Sequence, residues 1–206
     1  DLDPVRFLTN RSTGKMGYAM ARAGRRRGAE VSLVSGPSAL TAPYGVELVM
    51  VRSAREMLDA VCLSFPQADA LLMAAAVSDY RATGQETRKI KRGHQEIVAH
   101  LTQNPDILKE ISPLKKNQFV VGFAAETHDL ETEALRKMVE KNLDLIVAND
   151  VAQPDSGFAV DTNEVTLIRR DGQISRLPLL FKDEVADKIL DLVAAALAGE
   201  GRAGDA

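Results

Sequence analysis

The residues Asn10-Arg11-Ser12-Thr13-Gly14-Lys15-Met16-Gly17 have the types and spacing to bind and act on an anion. They read as a small polar loop followed by the start of a helix. A helix start offers unpaired N–H groups and a partial positive charge, which suits phosphate. Asn10 stands just before the turn and carries both a donor and an acceptor. Ser12 and Thr13 are good N-cap types, so a capped helix with no ligand fits the same residues. Two stronger phosphate motifs fail here. A P-loop needs a first glycine where Thr9 stands and Ser or Thr where Met16 follows Gly14-Lys15. A dinucleotide fingerprint needs three glycines, but only Gly14 and Gly17 are in place. The next strand, Glu30 to Val34, runs into Ser35-Gly36-Pro37 with no acid for a ribose. These departures disfavour a nicotinamide enzyme, including a short-chain reductase.

Further candidates fall at the ends of other elements. Ala68 to Ala76 holds a continuous apolar run of strand length, as in a parallel strand covered on both faces. In α/β sheets ligands gather beyond the carboxyl ends of strands, so Asp79 is either a site residue or a loop-capping aspartate. Residues 82–97 are polar and include Arg88-Lys89-Ile90-Lys91-Arg92. They read as a mobile surface segment, either a solvated face or a lid able to deliver a cation to a polyphosphate. Asn104 is a fitting N-cap with Pro105 at the first helical position. Asp106 is good first-turn chemistry, and that helix start too could hold an anion. Lys137 and Lys141 are four apart and share a helix face, which is commonplace on a surface and also suits phosphate binding.

These residues need a scaffold that brings strand ends and helix starts together. Helices are expected at 15–27, 54–64 (capped by Ser53), from Asn104, at about 129–142, and from Phe181 to Leu197. Strands are expected at 30–34, 46–51, 68–76, 98–101, 118–123 and 143–147. This alternation argues an α/β, Rossmann-like doubly wound, mainly parallel sheet. Asp171-Gly172 between two apolar runs marks a C-terminal β-hairpin, which could extend the sheet or pair with a second subunit. Residues 1–198 read as one domain and 199–206 as a disordered tail.

Composition bounds the rest. The chain has 206 residues, 45% of them hydrophobic, enough for one sizeable core. A net charge of -3 gives no global case for nucleic-acid binding. Arg25, Arg26 and Arg27 suit a helix C-terminus. The single cysteine, Cys62, excludes an internal disulfide, and the three histidines lack metal-ligand spacing. No apolar run approaches the ~18 residues of a membrane span, and no signal-peptide pattern opens the chain. The expectation is a soluble cytoplasmic protein.

Six segments in order complete the reading: Asp3-Pro-Val-Arg-Phe-Leu-Thr-Asn-Arg-Ser-Thr-Gly-Lys-Met-Gly, Ala75-Ala-Val-Ser-Asp-Tyr-Arg, Lys89-Ile-Lys, Asn104-Pro-Asp-Ile, Gly122-Phe-Ala-Ala-Glu-Thr and Lys141-Asn-Leu-Asp-Leu-Ile-Val-Ala-Asn-Asp. Together they resemble the phosphopantothenate–cysteine ligases, the synthetase half of the bacterial bifunctional coenzyme A biosynthesis protein. The resemblance covers nearly the whole chain. It implies that CTP, with Mg²⁺, activates the carboxylate of 4′-phosphopantothenate as an acyl-cytidylate. The amine of L-cysteine then displaces CMP. Asn10 matches the family's catalytic asparagine, and Lys89 matches the loop lysine that closes over the nucleotide. Met73, Ala74, Ala75 and Asp79 match strand-end nucleotide contacts. Pro105, Asp106, Ile107 and Leu108 match a second CTP-binding stretch, Phe123 a further contact, and Lys137 and Lys141 the cations of the CTP site. The metal ligands are not specified.

The resemblance also implies a homodimer and a flavin-dependent decarboxylase domain as fusion partner, with no flavin in this chain. The family opens this domain with an apolar strand and a Gly-rich turn just before Asp3-Pro4, so an N-terminal strand is expected to be missing from the sheet. A nucleotide-binding module without turnover is therefore the alternative.

Overall fold

A computed structural model describes residues 1–91, 98–126, 130–150 and 160–199. Within them, three parallel strands form the centre: β3 (Ala70–Met73), β6 (Phe119–Glu126) and β7 (Leu145–Asp150). The hairpin β8 (Thr162–Arg169) and β9 (Ile174–Phe181) extends this sheet antiparallel to β7. Gly172, at φ 86°, makes the turn that Asp171-Gly172 predicts, and the Asp171 side chain accepts from Gln173 N at 2.9 Å. Two shorter strands, β1 (Ser32–Ser35) and β2 (Glu47–Met50), form a separate parallel pair.

Strand alternation sends successive side chains to opposite faces. Val120, Ile146 and Ile168 join one core with α2 (Ala54–Ser64), α3 (Ile107–Ile111) and α4 (Leu130–Glu140). Val121, Leu145, Val147, Val165 and Leu167 join the other with α1 (Lys15–Arg26) and α5 (Lys182–Leu197). The result is a three-layer α/β/α arrangement, as the alternation of elements predicts. Leu143 packs against Gly122 so closely that a Cβ there would lie 2.5 Å from Leu143 Cδ1. Lys115 crosses to the start of β7, where its Nζ lies 2.6 Å from Asp144 Oδ2 and donates to the carbonyl of Asn142 at 2.9 Å.

The sheet is interrupted. Among the described residues β1 bonds only to β2 and β3 only to β6. The two edges line a cleft of about 2060 Å³ floored by Tyr18 and Met20 of α1. All four residues of β3 are consequently only half-buried, although their sequence is that of a fully covered strand.

Several local expectations are corrected. At α1 the N-cap is Gly14 in the left-handed region, φ 80°, not Ser12 or Thr13; Ser12 Oγ only accepts from Gly14 N at 3.4 Å. At its other end Gly28 N bonds to Arg25 O and Ala29 N to Gly24 O, both at 3.1 Å, closing a Schellman motif. The arginines there pair with α5: Arg26 with Asp187, and Arg27 with both Asp187 and Asp191. Helix α3 starts at Asp106, whose carboxylate accepts from Lys109 N, and not at Asn104. Strand β4 (Tyr80–Ala82) went unread in the sequence, and the strand expected at 98–101 lies instead at β5 (Leu101–Gln103), which pairs antiparallel with β4. The expectations for residues 92–97, Asp129 and the tail 200–206 lie outside the described residues. No helix among the described residues is long and apolar enough to cross a membrane.

Candidate active site

Beyond the carboxyl end of β3 the chain runs on through residues 74–79, and three other segments fasten to it. Asn10 Nδ2 donates to the carbonyls of Ala76 and Val77 at 3.2 and 3.4 Å. From the other side, Asn104 Nδ2 donates to Ser78 O and Asn104 N to Asp79 O, both at 2.8 Å. That use of Asn104 explains why it does not cap α3: its amide already holds the strand-end loop. Arg81 of β4 donates to Gln103 O and to Asn104 Oδ1, fixing the stem from which the lysine loop emerges. Two residues past Asn104, Asp106 Oδ2 lies 3.0 Å from Lys141 Nζ at the end of α4. Lys137 is one turn earlier, its carbonyl accepting from Lys141 N at 3.0 Å.

A continuous line of contacts thus joins Asn10, the 76–79 loop, Asn104–Asp106 and Lys141. Asn10, Ala75 and Asp79 are exposed on it, while Pro105 and Asp106 are half-buried. Met73 and Ala74 pack toward opposite cores, Met73 with the α2/α3/α4 layer and Ala74 with the α1/α5 layer. Phe123 sits one residue beyond the Met73–Gly122 register pair and packs with the same layer as Ala74. Ile107 and Leu108 are core residues, 4% and 8% exposed. Only their backbone N–H groups at the helix start are available to a ligand, so their side chains do not belong to the site.

Lys89 is exposed, and its neighbour Ile90 is tied to the segment that bears Asn10. Ile90 N donates to Asp3 Oδ2 at 3.1 Å, and Arg6 Nη2 donates to Ile90 O at 2.7 Å. Asp3 is 1% exposed. Its Oδ1 accepts from Val5 N and Arg6 N at 2.8 Å, and its Oδ2 from Arg6 Nε and Nη2 at 2.9 and 2.6 Å. Burial alone would raise the Asp3 carboxyl, but the N–H groups of Val5, Arg6 and Ile90 and the guanidinium outweigh it and hold it well below the usual carboxylate range. Sequence reasoning missed Asp3, although Asp-Pro two residues before a donor is an Asx-turn signal. The segment 82–91, read as mobile, is tethered: Thr83 N bonds to His100 O and Glu86 N to Leu2 O, both at 2.9 Å.

Among the described residues no group of three or more His, Cys, Asp or Glu could hold a metal ion.

Comparison with known proteins places this arrangement. The model of the DNA/pantothenate metabolism flavoprotein C-terminal domain matches residues 1–197. The chain is 46% identical over 195 residues to the coenzyme A biosynthesis bifunctional protein CoaBC of Bacillus subtilis, covering 94% of this chain and 48% of that protein. It is 46% identical over 194 residues to CoaBC of Escherichia coli K12, covering 92% and 48%. The crystal structure of a CoaBC C-terminal domain superposes with a TM-score of 0.82 at 43% identity, covering 97% of this chain and 90% of that one. The chain spans about half the length of the curated relatives it matches.

Proposed function

Because this chain belongs to the DNA/pantothenate metabolism flavoprotein C-terminal domain family, we propose that it is the ligase part of a coenzyme A biosynthesis enzyme, joining 4′-phosphopantothenate to L-cysteine at the expense of CTP. A carboxylate is a poor acyl donor because its leaving group would be oxide. Its oxygen attacks the α-phosphorus of CTP, the P–O bond to the β-phosphate breaks, and pyrophosphate leaves. The cysteine amine then adds to the acyl carbon and loses a proton, and CMP departs as the amide forms. Both steps build negative charge on oxygen, which fixed N–H donors, cations and a Mg²⁺ carried by the triphosphate stabilise.

The observation that carries this reading is the convergence of Asn10 and the 104–106 helix start on one strand-end loop. On it, Asn10 donates its amide to the oxyanion of the acyl-cytidylate step. Ala75 and Asp79 contact cytidine. The exposed Lys89 meets the phosphates, and Lys137 and Lys141 add positive charge. The expected assay is pyrophosphate release that requires CTP, Mg²⁺, 4′-phosphopantothenate and cysteine together. Cytoplasmic location and fusion to a flavin-dependent decarboxylase belong to the same proposal.

A second reading has its own support. Residues 74–77 line the cleft at the break between β1 and β3. A chain with this break could bind nucleotide without turning it over; saturable CTP binding with no pyrophosphate would favour that module. A homodimer formed through β9 completes the proposal. This strand is the outer edge of its sheet among the described residues and exposes Ile174, Leu179 and Phe181.

A further inference from the structure

We propose that Asp3 is a positioning residue that sets where Lys89 stands relative to Asn10; the functional weight of that spacing rests on the ligase reading above. Asp3 does not belong to the candidate site by contact: it is buried and faces no part of residues 74–79 or 104–106 in its hydrogen bonds. Its two oxygens do different work. Oδ1 closes the turn Asp3–Arg6 through Val5 N and Arg6 N. Oδ2 holds the Arg6 guanidinium and the N–H of Ile90, 87 residues away. The guanidinium then donates to Ile90 O, so the carboxylate and the arginine grip both polar groups of one peptide residue. A second anchor, Glu86 N to Leu2 O, fixes the loop four residues earlier.

Lys89 is therefore mounted one residue from the grip with its side chain free in solvent. The piece that grips it, residues 2–6, continues without a break to Asn10, which is itself fixed to Ala76 and Val77. Hence one short segment carries both the amide and the mount of the cation. The strand-end loop fixes Asn10, whereas Asp3 fixes Lys89 to the segment that bears Asn10. Charge-assisted bonds of this kind are the strong ones, and a buried carboxylate with five donors has no competing water.

Asp3→Asn separates the two roles. Its remaining carbonyl oxygen still accepts from Val5 N and Arg6 N, while an NH₂ replaces Oδ2 and repels both the guanidinium and Ile90 N–H. Amide hydrogen exchange at Ile90 should speed up by about tenfold or more, from the loss of one charged acceptor, with little change at Val5 and Arg6. The apparent KM for CTP should rise about tenfold by the same reasoning, and Asp3→Asn should add less than about twofold in a Lys89→Ala background. Arg6→Lys, which keeps the charge but cannot hold Asp3 and Ile90 O together, should speed Ile90 exchange in the same direction. Exchange at Ile90 unchanged in both variants would overturn the proposal, as would a full additional loss from Asp3→Asn in Lys89→Ala. If the unmutated chain releases no pyrophosphate, the ligase reading falls, and Ile90 exchange alone decides whether Asp3 holds the mount.

Discussion

Asn10 Nδ2 donates to the carbonyl of Ala76 at 3.2 Å, tying two residues 66 positions apart across the carboxyl end of β3. A side-chain amide held on a backbone carbonyl is oriented: its hydrogen bond to the loop fixes the amide plane, and so where its second N–H and its oxygen can meet a ligand. The proposed function gives this residue the oxyanion of the acyl-cytidylate step. Orientation by Ala76 and Val77 is what lets a single neutral side chain act at a defined point of the reaction.

Asn10→Asp keeps the size and removes the donor. The carboxylate would repel the Ala76 and Val77 carbonyls and any developing oxyanion. CTP binding should stay within a few-fold of the unmutated chain, whereas amide formation should fall by about 10²–10³-fold, the usual cost of one lost oxyanion donor. Parallel nucleotide titration and product assay check this; unchanged turnover would remove Asn10 from the mechanism.

Gly122→Ala tests the packing beneath the site. The added methyl would sit 2.5 Å from Leu143 Cδ1, and Leu143 is 1% exposed, so it has little room to retreat. Overpacking of this kind costs about 1–3 kcal/mol. Urea denaturation should show that loss, and Leu143→Ala combined with Gly122→Ala should be less destabilised than the two separate changes added together.

Acid stability should depend on Asp3. Its folded carboxyl lies well below the usual range, while the unfolded chain titrates near the ordinary value of about 3.9. As pH falls, the unfolded state therefore takes up the proton first. The stabilisation is complete above about pH 5 and is lost progressively below it. Thermal melts from pH 6 to pH 3 should show a shallower decline for Asp3→Asn than for the unmutated chain.

Strand β9 should govern association. Pro178 within it lacks an N–H, as tolerated on an edge strand, and Leu179 and Phe181 are 46% and 62% exposed. Sedimentation should find a dimer. Leu179→Lys should shift it toward monomer, because an edge charge opposes strand addition.

Much of this was legible in the sequence where local chemistry and tertiary role agree. The Ser53 cap, the apolar stripe of α1 and the Asp171-Gly172 turn all sit where their own residues place them. Legibility failed where a long-range partner competes for a residue. Asn104 has every local mark of an N-cap, yet Ser78 takes its amide and Asp106 caps instead. Strand β4 is three polar-flanked residues that, among the described residues, pair only with β5, so no periodicity announces it. The arginines at the end of α1 look like a solvated cluster until α5 supplies Asp187 and Asp191. Asp3 reads as half of an Asp-Pro turn, and nothing near it in sequence points to Ile90. Among the candidate residues, those at strand ends and helix starts carry a local signal, whereas Asp3 carries none toward the lysine loop that it holds.

A crystal structure of the chain with CTP and Mg²⁺ bears most directly on whether these segments form one nucleotide site. Cytosine should lie against Ala75 and Asp79, with the α-phosphorus next to Asn10 and the outer phosphates toward Lys89. Nucleotide density on any other surface, with Asn10 and residues 104–106 still at the strand-end loop and nothing bound to them, would contradict the assignment.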